Sequence, residues 1–131
     1  MAAANKEEKE KFVYRVSSAD QWEELQRTGA TLGGDIDRTT GCIHLSSLHQ
    51  VKGTLKNFFE GREDLFLLQV DASKLGDGLI YEAADDSNSF PHFYGPSRSF
   101  SPLLLDAVAK SEKLQLVNGE FTCSLLDQEP K

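Results

Sequence analysis

Apolar and polar positions alternate clearly from Phe12 onward. Phe12-Val13-Tyr14-Arg15-Val16 carries the β-branched and aromatic side chains of a pleated strand. Ser18, with Gln21 three residues on, has the form of a capping box; Trp22 and Leu25 then share a helical face, and Gly29 supplies the stop. Trp22 reads as a core anchor. The pattern lapses from Thr31 to Gly41, where Gly33-Gly34-Asp35 and Asp37-Arg38-Thr39 predict a polar loop long enough to move or to carry function. Cys42 to Leu45 predicts a short strand. Leu48, Val51, Leu55, Phe58 and Phe59 then recur at helical spacing, capped by Ser46 or Ser47 and ended by Gly61.

Leu65-Phe66-Leu67-Leu68-Gln69-Val70 is nearly continuous apolar sequence, as in a central strand buried on both faces. Asp71 to Gly76 predicts a turn or one helical turn, and Leu79 to Ala83 a further strand. After the acidic turn at Asp85-Asp86 comes Phe90-Pro91-His92-Phe93-Tyr94-Gly95-Pro96, a loop shaped at both ends because proline fixes φ and glycine frees it. Leu103 to Val108 predicts a short helix or an extended apolar arm. The chain closes with Leu114 to Val117, Asn118-Gly119 and Phe121 to Leu125, a hairpin signalled by Asn-Gly between alternating strands. Strands and short helices mix without a regular βαβ rhythm, which predicts an α+β fold.

With 131 residues, 39% hydrophobic and 27% charged, the chain suits one soluble domain over residues 11–127, with a disordered polar tail at 1–10 and a short tail at 128–131. The formal charge of −7 argues against nucleic acid or an anionic membrane as partner, since Lys and Arg are scattered rather than clustered. No apolar run approaches the roughly 18–20 residues of a membrane span. The N-terminal residues lack the apolar core of a secretion signal and the arginine-rich character of a transit peptide, so a cytoplasmic protein is expected. Cys42 and Cys123 have no CxxC or metal-ligand spacing and read as reduced, buried thiols.

No GxGxxG, P-loop, GxSxG elbow or HExxH is present. His44, His49 and His92 lack the spacing of a metal site, and no metal is expected. The candidate chemistry falls on Arg15, His44, Ser46, Glu82, His92, Tyr94 and Arg98, at strand ends or in shaped loops. Each has a plain structural alternative: Arg15 a solvent-facing strand residue, Ser46 a helix cap, Glu82 an exposed carboxylate, His92 and Tyr94 a core cluster with satisfied hydrogen bonds.

In order, the chain shows a Tyr-x-Val strand, a Trp-bearing helix, Gly41-Cys42-Ile43-His44-Leu45-Ser46, Gln50, a Phe-Phe helix end, Leu-Leu-Gln-Val-Asp, Tyr81-Glu82 and Phe-Pro-His-Phe-Tyr-Gly-Pro. Over roughly Phe12 to Pro102 this resembles the family called domain of unknown function 952. The resemblance implies an ADP-ribosyltransferase-like (ADP-ribosylation) fold: two small, roughly orthogonal β-sheets with short helices around a cleft. In that superfamily the cleft binds NAD, which makes NAD the candidate cofactor or substrate. By position Arg15, His44 and Ser46 would bind ligand and Glu82 would stabilise an oxocarbenium-like state; His92 and Tyr94 would sit around the nicotinamide. A cleft for a nucleotide-like small molecule, ligand-binding or enzymatic, is the leading expectation, with an NAD- or nucleotide-processing enzyme as its candidate activity. A non-catalytic metabolite-binding module, or a protein-interaction domain on the same fold, is the alternative; the sequence leaves the oligomeric state open.

Overall fold

The computed structural model describes residues 10–127. The tails expected at 1–9 and 128–131 lie outside the described residues; Glu10 is described, and its carboxylate accepts a hydrogen bond from Tyr81. Ten strands and three α-helices form an α+β fold with several small sheets. The strands are β1 (Phe12–Ser18), β2 (Ala30–Thr31), β3 (Ile43–His44), β4 (Leu65–Asp71), β5 (Leu79–Ala83), β6 (Ser89–Phe93), β7 (Leu103–Leu104), β8 (Val108–Lys113), β9 (Gln115–Val117) and β10 (Glu120–Thr122). The helices are α1 (Ala19–Thr28), α2 (Asp35–Thr40) and α3 (Leu48–Phe58).

The principal sheet has the antiparallel order β1-β4-β8. Its two faces feed two separate cores. Tyr14, Val16, Leu65 and Leu67 pack with Val51 and Leu55 of α3 and with Leu114 and Leu125. Val13, Leu68 and Val70 pack with Leu25 of α1, Ile43, Leu75 and Leu103. β4 is therefore the wall between them, which is why its sequence is apolar on successive rather than alternate positions. Each such leucine contributes about 1.5–3 kcal/mol by burial, and Leu67→Asp or Leu68→Asp would collapse one core.

The second sheet, β3-β6-β5, is also antiparallel. Ile43, Leu79 and Phe93 on one face join the second core, while His44, His92 and Glu82 occupy the opposite parity. β1 joins the two sheets: Tyr14 and Ser46 exchange both main-chain hydrogen bonds at 2.8 Å.

Local chemistry explains the element ends. The Ser18 hydroxyl accepts the Gln21 N–H at 3.2 Å and starts α1; Gly29 at φ 86 ends it. Ser47, not Ser46, precedes α3, and the Gln50 side chain reaches back to its N–H at 2.8 Å. α3 stops at Phe58, before Gly61, and Phe58 is 75% exposed rather than part of the buried stripe. Asn118 at φ 53 and Gly119 at φ 84 make the tight turn of the β9–β10 hairpin.

Four expectations are corrected. The stretch 31–41 is not a loop: it holds β2 and the six-residue helix α2, whose polar sequence shows no apolar stripe. Phe90 to Phe93 is not loop but part of β6, the central strand of its sheet. Pro91 is tolerated there because β3 is only two residues long; beyond it, the Pro91 carbonyl takes the Leu45 N–H at 3.0 Å. Leu103 to Val108 is neither a helix nor an arm but the short strand β7 followed by a 3-10 turn leading into β8. The hairpin's second strand ends at Thr122, and Ser124–Asp127 is a 3-10 turn.

Both cysteines are buried and free. Among the described residues no helix is long and apolar enough to cross a membrane.

Candidate functional site

Opposite-parity side chains of the second sheet build the site. The register pairs His44 with His92 across β3 and β6, and Glu82 lies two positions along β5 from Ile80, the residue opposite His92. These side chains share the face that points away from the core.

The best-buried part is a carboxylate. Asp37, fully buried on α2, receives five hydrogen bonds. Arg15 grips it with both terminal nitrogens at 3.1 and 2.8 Å, the Gly34 N–H reaches it at 2.8 Å, and His44 gives its main-chain N–H at 2.9 Å and its Nδ1 at 2.8 Å. Burial by itself would push this carboxyl up. The His44 hydrogen bond, the Arg15 charge and the Gly34 N–H outweigh it and hold the carboxyl well below the usual range. The ionised Asp37 accepts a hydrogen bond from Nδ1–H, so a neutral His44 ring carries its proton there and Nε2 is its acceptor nitrogen. Nε2 lies 3.4 Å from the Thr40 hydroxyl, and the His44 side chain is 28% exposed.

Gly33, at φ 78, is what lets the chain wrap this carboxylate. A Cβ there would sit 2.3 Å from Asp37 Oδ2.

The second carboxylate is more open. Glu82 is hydrogen-bonded by His92 Nδ1, by the Tyr94 hydroxyl at 2.9 Å and by the Arg98 guanidinium. The His92 bond is the largest influence; Tyr94 and Arg98 add to it against a partial burial, and the carboxyl is brought down to about 2. Burial, then the Glu82 bond and the Cys42 thiol, push the Tyr94 phenol up to about 12, so it stays a donor. The Arg98 guanidinium also lies over the Tyr94 ring, 4.4 Å from its centroid. The His44 and His92 rings meet edge to face with centroids 4.8 Å apart. A continuous path thus runs from Arg15 through Asp37, His44, His92 and Glu82 to Arg98.

The structure brings together Arg15, His44, Glu82, His92 and Tyr94. Arg15 is buried rather than solvent-facing, and its remaining donor capacity goes to the Gln21 side chain and the His44 carbonyl. Ser46 stands apart: it is buried, with its hydroxyl 3.3 Å from Thr54 on α3. Asp37 is not evident from the sequence, because nothing in composition separates a buried aspartate from an exposed one and its apolar neighbour Ile36 is itself exposed. The one available signal was its place three residues after Gly34, where an N-terminal helix carboxylate turns back onto main-chain N–H groups.

One ligand atom each from Cys42, Glu82 and His92 lie within 4.8 Å of one another, a donor set of mixed type. Arg98 already supplies Glu82 with a positive partner, and His92 supplies it with a hydrogen bond.

A cleft of about 680 Å³ opens beside this face, lined among others by Ile80, Phe93, Pro96, Leu104 and Lys74. Tyr94 and Arg98 belong to both cleft and cluster; Glu82, His44, His92 and Arg15 do not line it. The loop carrying Arg98 is held in the left-handed region at Ser97 (φ 57) and Arg98 (φ 59), two non-glycine residues in succession.

A family model described as "Protein of unknown function (DUF952)" matches residues 16–111. The crystal structure of protein CC0527 from Caulobacter crescentus superposes with a TM-score of 0.75 at 31% identity, covering 85% of this chain and 93% of that one. The solution NMR structure of CC0527 gives 0.71 at 30% identity, over 86% and 91%. No curated protein matches.

Proposed function

This chain belongs to the family described as protein of unknown function (DUF952), and we propose that it binds a nucleotide-like small molecule and cleaves its N-glycosidic bond, with NAD as the candidate substrate. The observation that carries this reading is Glu82: a partly open carboxylate kept ionised by three donors, two of which, Tyr94 and Arg98, line a cleft. A fixed anion is what the growing positive charge of an oxocarbenium-like ribose needs. Nicotinamide leaves as a neutral ring, so no acid has to protonate it.

Three further points support the reading. The chain order Arg15 on β1, Ser46 or His44 beside it after β2, and Glu82 on β5 is the order that the resemblance to an ADP-ribosyltransferase-like fold implies. The cleft falls within the roughly 300–1,000 Å³ of small-molecule sites and has an apolar lining for a planar base. Arg98, 55% exposed at its side chain, is free to turn a donor toward a phosphate. Arg15 is committed to Asp37, so in this reading it supports His44 from behind and does not grip the ligand itself. His92 holds Glu82, and Tyr94 stands between the carboxylate and the cleft.

The test is a thermal-shift titration with NAD, ADP-ribose and nicotinamide on the wild type, His92→Ala and Glu82→Gln, followed by an assay for nicotinamide release. At a hundredfold excess over Kd a bound ligand stabilises by about 2.7 kcal/mol. A saturable shift lost in both variants, together with nicotinamide release by the wild type, supports the enzyme. A shift without release leaves a binding module. No shift at millimolar concentration with any of the three removes the nucleotide cleft.

A further inference from the structure

Glu82 accounts for bond breaking but not for the atom that replaces nicotinamide. Resting on the reading above, we infer that His44, set by Asp37, is the general base for a neutral hydroxyl acceptor, so that the chain transfers ADP-ribose to water or an alcohol oxygen. Three features of the His44 ring carry this. Its Nδ1 is fixed on a fully buried, ionised carboxylate at 2.8 Å. Its Nε2 lies 3.4 Å from the Thr40 hydroxyl, whose own proton goes to the Ile36 carbonyl at 2.7 Å, and the ring is partly exposed. Its neighbour across the ladder is His92, which holds Glu82, so the base stands one ring away from the carboxylate assigned above to the ribose.

The groups facing His44 are Asp37 and, behind it, Arg15; His92 with Glu82 across the strand pair; and Thr40, which also lies 3.8 Å from the Cys42 sulfur. Arg15 neutralises Asp37, so the carboxylate orients the imidazole without leaving a net negative charge behind it. Asp37 touches no reacting atom and is a positioning residue.

The step balances as follows. The bond from ribose C1′ to the nicotinamide nitrogen breaks, and its electron pair stays on that nitrogen, turning the pyridinium into neutral nicotinamide. The acceptor oxygen forms the new bond to C1′. Its proton passes to His44 Nε2, and the imidazolium returns it to solvent. A thiol or carboxylate acceptor, already ionised or nearly so, would not need such a base; a hydroxyl does.

The test uses the full chain with NAD and reads nicotinamide release in His44→Gln with and without azide, an anionic nucleophile that needs no deprotonation. Loss of His44 should slow hydrolysis by about 10²–10⁴-fold, the usual worth of a general base, and azide should restore a large part of it. Glu82→Gln should be equally slow and stay slow with azide. Wild-type hydrolysis in His44→Gln, or a slow variant indifferent to azide, overturns the base assignment.

Nitrogen-15 imidazole NMR provides a readout that needs no turnover. Neutral His44 should show a protonated Nδ1 and a bare Nε2, and Asp37→Asn should mix or reverse the tautomers. Should Asp37→Asn fail to fold, the wild-type spectrum alone decides. An Nε2-protonated His44 in a protein that releases nicotinamide overturns the base while sparing the reaction. A wild type that releases none removes the reaction, and the acceptor with it.

Discussion

His44 and His92 face each other across the β3–β6 ladder, rings edge to face, and each gives its Nδ1 to a different carboxylate. The two carboxylates are unequal: Asp37 is sealed under Arg15, whereas Glu82 is reached from the cleft side by Tyr94 and Arg98. In the proposed reading one pair orients and the other makes contact. The variants below separate the two roles.

His92→Ala removes the largest influence holding the Glu82 carboxyl near 2. Its titration should move up toward the ordinary value of 4.5, stopping short of it because Tyr94 and Arg98 remain. Carboxyl carbon-13 NMR of the wild type and the variant measures the displacement. An unchanged titration would show that His92 does not hold Glu82 in solution.

Asp37→Asn leaves the buried Arg15 guanidinium without its counter-charge. Breaking a buried pair on one side costs about 3–5 kcal/mol, to be read from urea denaturation. The double change Arg15→Met, Asp37→Leu removes both charges and should cost less than the two single changes added together. Equal costs would mean that the pair is not coupled.

Gly33→Ala and Gly29→Ala form a matched test. Both glycines have positive φ, so both variants carry the left-handed penalty of about 1–2 kcal/mol. At Gly29 the added methyl meets open space; at Gly33 it lands 2.3 Å from Asp37 Oδ2. Gly33→Ala should therefore be clearly the less stable and should also disturb the His44 ring signals. Equal stabilities would show that the Asp37 carboxylate has room to retreat.

The acid limb of stability follows from the direction of the two carboxyl shifts. A carboxyl whose folded-state value is depressed binds its proton more readily in the unfolded chain, so its contribution is present above the unfolded value and lost as pH falls. For Glu82 that loss runs from about 4.5 down to about 2. For Asp37 it starts near 3.8 and continues to lower pH. Glu82→Gln should make the stability-against-pH curve less steep between 4.5 and 2, leaving only the Asp37 contribution from 3.8 downward. A curve identical to the wild type in that interval would contradict the Glu82 assignment.

Much of the framework could be read before any coordinates. β1, β4, α1, α3 and the closing hairpin follow from apolar periodicity, caps and the Asn-Gly turn, signals that act over a few neighbouring residues. β8 could not be read that way. Val108–Lys113 is largely exposed and polar, and main-chain pairing with β4 holds it in place. α2 failed for the same reason: its six residues bury no stripe, only Asp37. The site residues His44, Glu82, His92 and Tyr94 were visible as unusual types at strand ends. Their partnership was not, because it depends on which strands lie side by side. Arg15 looked exposed by alternation, and the residue that reverses this, Asp37, comes from a helix that sequence periodicity does not show.

The paired main-chain bonds between Tyr14 and Ser46 have a mechanical consequence. They fasten β1 to the chain immediately after β3, so Arg15 and His44 are stitched on either side of one seam. Any ligand that tried to enter by prising these two apart would have to undo both bonds and the Asp37 cradle together. At the far end of the path the loop bearing Arg98 meets Glu82 through side chains, by the Arg98 guanidinium. The molecule thus has a sewn edge and a latched edge.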